Sequence, residues 1–261
     1  MENKKVYYDQ SHIKFLEKLW GQGYLSPGGP QEVSRILGNV ELNSKYVLDI
    51  GCGSGGVTTS LVTQHAAKKV TGIDVEDDVC EAARNRVRDL NLGRKVDIVR
   101  VLPGALPFEN SAFDIVFSKD AIVHIENKEF LSKEIFRVLR SGGYFLCSDW
   151  LKATDDKPSP EMLYYLKLED LGFEMASPKR YKTALKFAGF EDIILDNRNR
   201  WYLEEARKEL LILSKQNRNE FEKLSSKSYM DYTVKTWWAM IKVLETGEHC
   251  PHHIRCRKPN K

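Results

Sequence analysis

LDIGCGSGG, residues 48–56, is the stretch that decides the fold of this 261-residue chain. The apolar run 46–50 leads into four glycines within six residues, which is typical of a buried parallel strand followed by a tight turn. Gly51, Gly53 and Gly56 also satisfy G-x-G-x-x-G, a pattern in which the backbone comes close to a bound nucleotide. Because glycine costs conformational entropy on folding, this density of glycines indicates a binding turn rather than a bare connection.

Further strand-like runs follow the glycine turn. They cover residues 70–74, 96–101, 113–117 and 143–148, with helical periodicity between them, and two short runs follow at 193–195 and 254–257. The last run is expected at the edge of the sheet. Strands that alternate with helices predict right-handed βαβ units. The expected fold class is therefore α/β, with a doubly wound, mostly parallel seven-stranded sheet.

Helical patterns lie on both sides of this core in the sequence. At the front they surround a loop rich in glycine and proline, residues 21–30. Later, Ser177 and Pro178 suit the cap and first position of a helix that should end at Gly189. Two amphipathic helices are expected around 204–224 and 230–245. We therefore divide the chain into an N-terminal helical lid (1–40), a core (41–152) and a third part (153–261) with a helical cap inserted before the last strand.

Composition excludes several classes of protein. Forty basic and 37 acidic residues leave a net charge of +3, mixed along the chain, so no nucleic-acid partner is expected. No apolar stretch approaches the roughly 20 residues that span a bilayer, and no apolar segment resembling a secretory signal follows the first residues. The five cysteines show no framework spacing and are expected to be reduced. A cytoplasmic enzyme or ligand binder is expected, and its oligomeric state is left open.

Two acidic residues narrow the choice of ligand. Asp74, at the end of the second strand, suits ribose hydroxyls, as in sites for NAD, FAD or S-adenosylmethionine. Asp49, at the end of the first strand, would repel the pyrophosphate of a dinucleotide. The ammonium and sulfonium groups of S-adenosylmethionine would instead be attracted to it. Asp49 therefore favours S-adenosylmethionine.

Three segments resemble the Rossmann-like S-adenosylmethionine-dependent methyltransferases. They are 49–56 with Gly72-Ile73-Asp74, then 106–116, then 138–143, and together they cover about residues 45–149. The resemblance implies S-adenosylmethionine as cofactor and S-adenosylhomocysteine as product. The cofactor-binding residues it implies are Leu25, Ser26, Asp49, Gly51, Gly53, Asp74, Val75, Leu102, Pro103, Ser118 and Lys119. The family commonly has an acidic residue after the third strand; since this chain lacks one, we expect backbone groups and packing around Leu102 to hold the adenine.

Two segments outside the core resemble phosphoethanolamine N-methyltransferases: Tyr8 with the loop 24–29, and residues 118–124. The resemblance implies that Tyr8 and His124 form a catalytic pair and that Asp120 contacts the amine. An amine with a pKa near 10.4 is protonated at pH 7, so a base must remove a proton before its nitrogen can attack in line. A histidine suits that role. If residues 120–124 form a helical turn, Asp120 and His124 share one face.

A purely structural role stays open for each of these three residues. His124 could bond a backbone carbonyl, Tyr8 could simply pack, and Asp120 could cap a helix.

The phosphate site of those enzymes is not matched. Its arginine and tyrosine positions hold Trp150, Lys167, Leu171 and Phe173 here, and the stretch 168–193 resembles sarcosine and dimethylglycine N-methyltransferases instead. The acceptor is therefore expected to be a small amine, with or without an acidic group. An NAD(P)-dependent oxidoreductase and an O- or C-methyltransferase acting on another metabolite are the alternatives.

Aromatic residues and a histidine-rich tail complete the candidates. An aromatic wall could bind a methylated ammonium through cation–π attraction. Its candidates are Trp20, Trp150, Trp201, Tyr202, Trp237 and Trp238, of which the last two are expected in the core of the cap. Residues 249–257 hold His249 and Cys250, but their spacing fits no common zinc site. No metal is expected, and the tail is interpreted as a solvated edge with basic side chains.

Overall fold

The computed structural model describes residues 8–260, and its seven strands form a mostly parallel sheet with flanking helices. The chain forms two compact units that divide between Pro107 and Phe108. The α/β fold class predicted from the sequence is confirmed. The proposed boundaries at residues 40 and 152 stay predictions, and residues 1–7 of the proposed lid lie outside the described residues.

Within its described residues, 8–107, the first unit holds three parallel strands and four helices. The strands are β1 (Tyr46–Ile50), β2 (Lys69–Asp74) and β3 (Val96–Arg100), in the order β3-β2-β1. The helices are α1 (Gln10–Trp20), α2 (Gly29–Leu37), α3 (Gly56–Thr63) and α4 (Asp77–Asp89). Strand β1 is buried along nearly its whole length, as a strand inside a parallel sheet must be.

The second unit holds the other strands, β4 (Phe113–Lys119), β5 (Leu139–Asp149), β6 (Glu191–Asn197) and β7 (His252–Arg257), in the order β4-β5-β7-β6. Strand β4 runs parallel to β5, and β7 is antiparallel to both β5 and β6. The helices are α5 (Lys128–Val138), α6 (Pro160–Glu169), α7 (Pro178–Ala188), α8 (Asn199–Leu211), α9 (Arg218–Glu222) and α10 (Lys227–Glu245). Helices α8 to α10 come between β6 and β7 in the chain, which confirms a helical insertion before the last strand.

Helix α7 begins and ends as its sequence predicts. Ser177 accepts a hydrogen bond from the Arg180 amide through its side chain, and Pro178 occupies the first turn. Gly189 ends the helix in the left-handed conformation that favours glycine. Local capping chemistry is sufficient to define this element.

The helix expected around 204–224 is interrupted. Helix α8 ends at Leu211, and a π-helical segment, Ile212–Gln216, separates it from α9. Within that segment the Ser214 hydroxyl donates to the Leu210 carbonyl at 2.6 Å. A serine that bonds back to a carbonyl of the preceding turn competes with the regular helical hydrogen bond and bends a helix.

The expectation that the last strand lies at an edge is wrong. Because β7 pairs on both sides, with β5 and with β6, it lies inside the sheet and β6 is its outer neighbour. His249, Cys250, Ile254 and Cys256 are all buried. The tail is therefore not a solvated edge. Across the described part of the chain, every helix is too short or too polar to cross a bilayer.

Candidate functional site

The glycine turn directly follows β1. The backbone amides of Gly51 and Cys52 both donate to the Ile73 carbonyl at 2.9 Å, which ties the turn to the end of β2. Gly53 and Gly55 have φ of 51° and 88°, values that favour glycine. A side chain at Gly53 would also crowd Leu25, because a Cβ there would lie 3.1 Å from Leu25 Cδ1. The predicted residue Leu25 therefore does lie against the turn.

The last glycine of the motif, Gly56, is in contact with the N-terminal loop. The Gly56 amide donates to the Gly23 carbonyl at 2.9 Å, and a Cβ on Gly23 would lie 2.6 Å from Gly56 Cα. At Gly56, therefore, the N-terminal loop makes the close approach to the backbone that the motif predicts.

Asp49 is a buried carboxyl group beside this turn, 1% exposed. Its Oδ2 accepts a 2.6 Å hydrogen bond from the Thr58 hydroxyl on α3, whereas Oδ1 has no partner among the described residues. Burial raises the pKa of Asp49 to about 7, and the Thr58 hydrogen bond only partly opposes this. A buried carboxyl oxygen without a partner costs free energy, so this atom is suited to receive a donor from a ligand.

Asp74 is oriented by backbone amides. Its Oδ2 accepts from Gly53 at 3.0 Å, and its Oδ1 accepts from Val75 at 2.7 Å and Glu76 at 3.1 Å. Burial raises the pKa of Asp74, while these three hydrogen bonds act in the opposite direction. The carboxylate is held rigidly at the end of β2, and each of its oxygens has two lone pairs.

These groups fit S-adenosylmethionine. Oδ1 of Asp49 could accept from an ammonium, and the carboxylate of Asp74 could accept from ribose hydroxyls. Leu102 and Pro103 follow β3 with exposed side chains, so they are open to an adenine ring, and Ser26 is half-buried. The roles of these residues and of Val75 stay predictions.

In the second unit, Asp120 directly follows β4. It has a φ of 54°, which is uncommon for a residue with a side chain. Its Oδ1 accepts from the hydroxyls of Ser148 and Tyr202, both at 2.8 Å, and its amide donates to the Ser148 carbonyl at 2.9 Å. Its Oδ2 accepts from Lys119 Nζ at 2.9 Å. Asp120 is therefore a neutralised, firmly held carboxylate and not a helix cap.

The Lys119–Asp120 pair is buried, with side chains 2% and 1% exposed. Side chains of adjacent strand residues ordinarily point to opposite faces, and the left-handed conformation of Asp120 changes this direction. Lys119 and Ser118 were predicted to bind the cofactor. The structure places the Lys119 ammonium on Asp120 and buries Ser118 in β4, and their roles toward a cofactor stay predictions.

His124 ends a short 3-10 turn, Ile122–His124. Asp120 lies before this turn in a left-handed conformation, so the two do not share a face of an α-helix. Burial lowers the pKa of His124, and the backbone carbonyls of Leu171 and Gly172 partly oppose that decrease through hydrogen bonds. Its ring also lies 5.3 Å from that of Phe173. The backbone contact left open from the sequence is present, and burial favours the neutral imidazole.

Lys128 holds the turn that carries His124, and sequence reasoning missed it. Its side chain is fully buried, and Nζ donates to the carbonyls of Ile122 at 2.8 Å, Val123 at 3.5 Å and Ile125. Burial lowers the pKa of Lys128. A lysine at the start of an amphipathic helix carries no local signal of such a role, because it is usually exposed there.

Asp149 is another buried carboxyl group whose pKa is displaced. The Tyr181 hydroxyl donates to its Oδ2, and its Oδ1 has no partner among residues 8–260. Burial raises the pKa of Asp149 to about 7, although the nearby positive charge of Lys128 lowers it. Lys128, Asp149 and Tyr181 thus form one buried polar cluster behind the His124 turn.

An aromatic cluster surrounds Trp150. Its ring lies 5.3 Å from Phe173, 5.5 Å from His249 and 6.4 Å from Tyr202. Burial lowers the pKa of His249 to about 4, so this histidine is neutral at pH 7. Among the described residues, no three histidine, cysteine or acidic side chains are grouped so that they could bind a metal ion.

Two other aromatic predictions have different outcomes. Trp237 is buried in the cap as expected, where its indole donates to Glu209 at 2.9 Å, but Trp238 is 56% exposed and is not a core residue.

Tyr8 stacks on His12 with ring centres 5.4 Å apart. Its pairing with His124 stays a prediction.

Comparison with known proteins agrees with this geometry. A family model described as a methyltransferase domain matches residues 48–147. Phosphoethanolamine N-methyltransferase 1 of Zea mays is 30% identical over 244 residues, which are 93% of this chain and 47% of that protein. A sarcosine/dimethylglycine N-methyltransferase of Halorhodospira halochloris is 30% identical over 166 residues, 63% of this chain and 57% of that protein. The chain thus spans about half the length of these curated relatives.

A solved structure shares the fold. It is phosphoethanolamine N-methyltransferase 2 of Haemonchus contortus, in complex with phosphomonomethylethanolamine and S-adenosylhomocysteine. The TM-score is 0.89 at 24% identity, and the match covers 98% of this chain and 59% of that one.

Proposed function

Since this chain belongs to the Rossmann-like S-adenosylmethionine-dependent methyltransferases, we propose that it transfers a methyl group to the nitrogen of a small amine. The observation that carries the proposal is its similarity to enzymes named for two kinds of small amine, phosphoethanolamine and sarcosine or dimethylglycine. S-adenosylmethionine supplies a methyl group activated by a sulfonium. The protein must bind this cofactor, orient the acceptor and provide for the loss of the acceptor's proton.

The first unit is proposed to bind this cofactor. Asp49 offers one unpartnered carboxyl oxygen to an ammonium group, and the Asp74 carboxylate, held by three backbone amides, offers acceptors to ribose hydroxyls. Leu25 packs against Gly53 and is proposed to help exclude water from the turn.

His124 is proposed to remove the proton of the acceptor ammonium. Burial lowers its pKa and so favours the neutral imidazole, whose unprotonated ring nitrogen can accept that proton. Asp120 is proposed to orient the amine. Its carboxylate is fixed by Ser148, Tyr202 and Lys119, and a fixed acceptor aligns a nitrogen at a lower entropic cost than a mobile one.

We further expect the acceptor to lack a phosphate group. Of the positions where the phosphoethanolamine enzymes are expected to bind phosphate, Phe173 packs against His124 and Trp150, and Lys167 is exposed on α6. His249, which also lies against Trp150, is neutral at pH 7 because its pKa is about 4. A phosphate dianion would require more positive charge than these groups offer.

The test is to measure S-adenosylhomocysteine release with ethanolamine, phosphoethanolamine, glycine, sarcosine and dimethylglycine side by side. We expect turnover above the amine-free rate with at least one unphosphorylated amine. Turnover with none of the five would contradict the proposal. A strong preference for phosphoethanolamine would retain N-methylation and overturn the expectation about phosphate.

A further inference from the structure

Glu17, on α1, connects three parts of the first unit through one carboxylate oxygen. Its Oε1 accepts hydrogen bonds from the Gly23 amide at 3.0 Å, the Ser54 hydroxyl at 2.6 Å and Arg86 Nη2 at 3.0 Å. Gly23 lies in the N-terminal loop, Ser54 in the glycine turn and Arg86 on α4. One side chain thus connects α1, the loop, the turn and α4.

Arg86 closes this network from the other side. Its Nε donates to the Ser54 carbonyl at 2.9 Å while its Nη2 bonds to Glu17. Ser54 is fully buried, and the Glu17 and Arg86 side chains are each 20% exposed. Two polar groups of Ser54, its hydroxyl and its carbonyl, are therefore held by charged side chains.

Such a network has a specific consequence in this turn. Four glycines in residues 51–56 give the unbound backbone many accessible conformations, because glycine restricts φ and ψ least. Ser54 carries the side chain through which the middle of the turn is held. Hydrogen bonds to charged groups are roughly twice as strong as neutral ones, so this anchor restricts the turn more effectively than a neutral one would.

We propose that Glu17 and Arg86 are positioning residues for the cofactor, which hold the glycine turn in its binding conformation through Ser54. This inference rests on the proposed function in one respect, that the cofactor binds at this turn. The same network also holds the N-terminal loop in place, since Glu17 accepts a hydrogen bond from the Gly23 amide. Cofactor affinity and the packing of residues 10–23 are therefore coupled.

The expected effect follows from the fraction of molecules whose turn is competent to bind. An apparent Kd equals the intrinsic Kd divided by that fraction, so a variant whose turn is competent about one-tenth of the time binds about tenfold more weakly. Once the cofactor is saturating, the turn is fully ordered. The kcat and the KM for the amine should then be unchanged.

The test is calorimetric titration of S-adenosylhomocysteine into the wild type, Glu17→Gln and Glu17→Ala. Glutamine keeps an acceptor for Ser54 and Gly23 but removes the charge that binds Arg86, whereas alanine removes all three contacts. We expect Kd to rise about tenfold in Glu17→Ala and less in Glu17→Gln. The reason is that the fraction of molecules whose turn is competent to bind is smaller in the alanine variant. Arg86→Lys keeps the positive charge but loses the simultaneous contact with Ser54 and Glu17. Its Kd should lie between those of the wild type and Glu17→Ala.

Asp97→Asn is the matched control. It removes a different ion pair of the same unit, Asp97 with Lys69 at 2.6 Å, which does not contact the glycine turn. Its Kd should equal that of the wild type. Circular dichroism at the titration temperature establishes that each variant is folded. If folded Glu17→Ala binds S-adenosylhomocysteine like the control, the inference is wrong, whatever amine the enzyme accepts.

Discussion

The amide of Gly56, the first residue of α3, donates its hydrogen bond to the carbonyl of Gly23, 2.9 Å away in the N-terminal loop. The first amides of a helix have no partner within the helix, and this one is satisfied by a distant segment of the chain. The contact requires two glycines, because a Cβ on either residue would collide with the backbone of the other. The loop and the cofactor turn are thus packed backbone against backbone.

Gly56→Ala should destabilise the protein by about 1–3 kcal/mol, the usual cost of overpacking a close contact. Urea unfolding at pH 7 measures this change, and protease cleavage within the first 30 residues should become faster. Gly93→Ala is the matched control, since a Cβ there has no neighbour within 4 Å. Equal unfolding free energies for the two variants would show that the Gly23–Gly56 contact does not constrain the protein in solution.

Asp49 and Asp149 should each contribute a loss of stability to the unliganded protein as pH rises from about 4 to 7. Burial raises the pKa values of Asp49 and Asp149 to about 7, so the folded state binds more protons than the unfolded state in that window. Their contribution is present below the unfolded pKa and is lost as pH rises through the folded pKa. Asp49→Asn and Asp149→Asn should each flatten part of the slope in urea unfolding between pH 5 and 8. An unchanged slope in both variants would be incompatible with raised pKa values.

Binding of S-adenosylhomocysteine near pH 7 should release protons. An ammonium next to the unpartnered oxygen of Asp49 would favour the charged carboxylate and lower its pKa. Calorimetric titrations in buffers of different ionisation enthalpy measure the number of protons released. The release should disappear in Asp49→Asn. If the variant releases as many protons as the wild type, another group is responsible.

His124→Ala should lower kcat by roughly 10²–10⁴, the usual contribution of a general base, with little change in cofactor affinity. Activity should recover partly at high pH, where the amine loses its proton without help. His65→Ala is the control, because this histidine lies in the first unit, where its ring contacts Ser34. An unimpaired His124→Ala enzyme would transfer the role of base to Tyr8.

Lys128→Met should destabilise the protein strongly, by about 3–5 kcal/mol, as is typical when one charged member of a buried polar cluster is removed. It would leave three carbonyls of residues 122–125 without their shared donor and Asp149 without a nearby positive charge. Lys133→Met, on the exposed face of the same helix, is the control and should change stability little. Similar unfolding midpoints for the two variants would exclude the proposed role of Lys128.

Local rules predicted much of the fold. Ser177, Pro178 and Gly189 mark the ends of α7 because capping depends on neighbours within a few residues. The continuous apolar run 46–50 predicted a buried strand, because burial removes apolar side chains from water. The interruption of the cap helix at 212–216 was missed, because nothing distinguishes Ser214 in the sequence from an exposed helical serine.

The sequence by itself determined the glycine turn, the acidic residues at the ends of β1 and β2, and the alternation of strands and helices. Each depends on residue type and local order, through conformational freedom and hydrophobic periodicity. Only the tertiary structure decided that Glu17 and Arg86 meet at Ser54, that Lys119 neutralises Asp120, and that the histidine-rich tail lies inside the sheet. Those outcomes depend on which distant donors and acceptors packing brings together, and burial then makes their pairing energetically necessary.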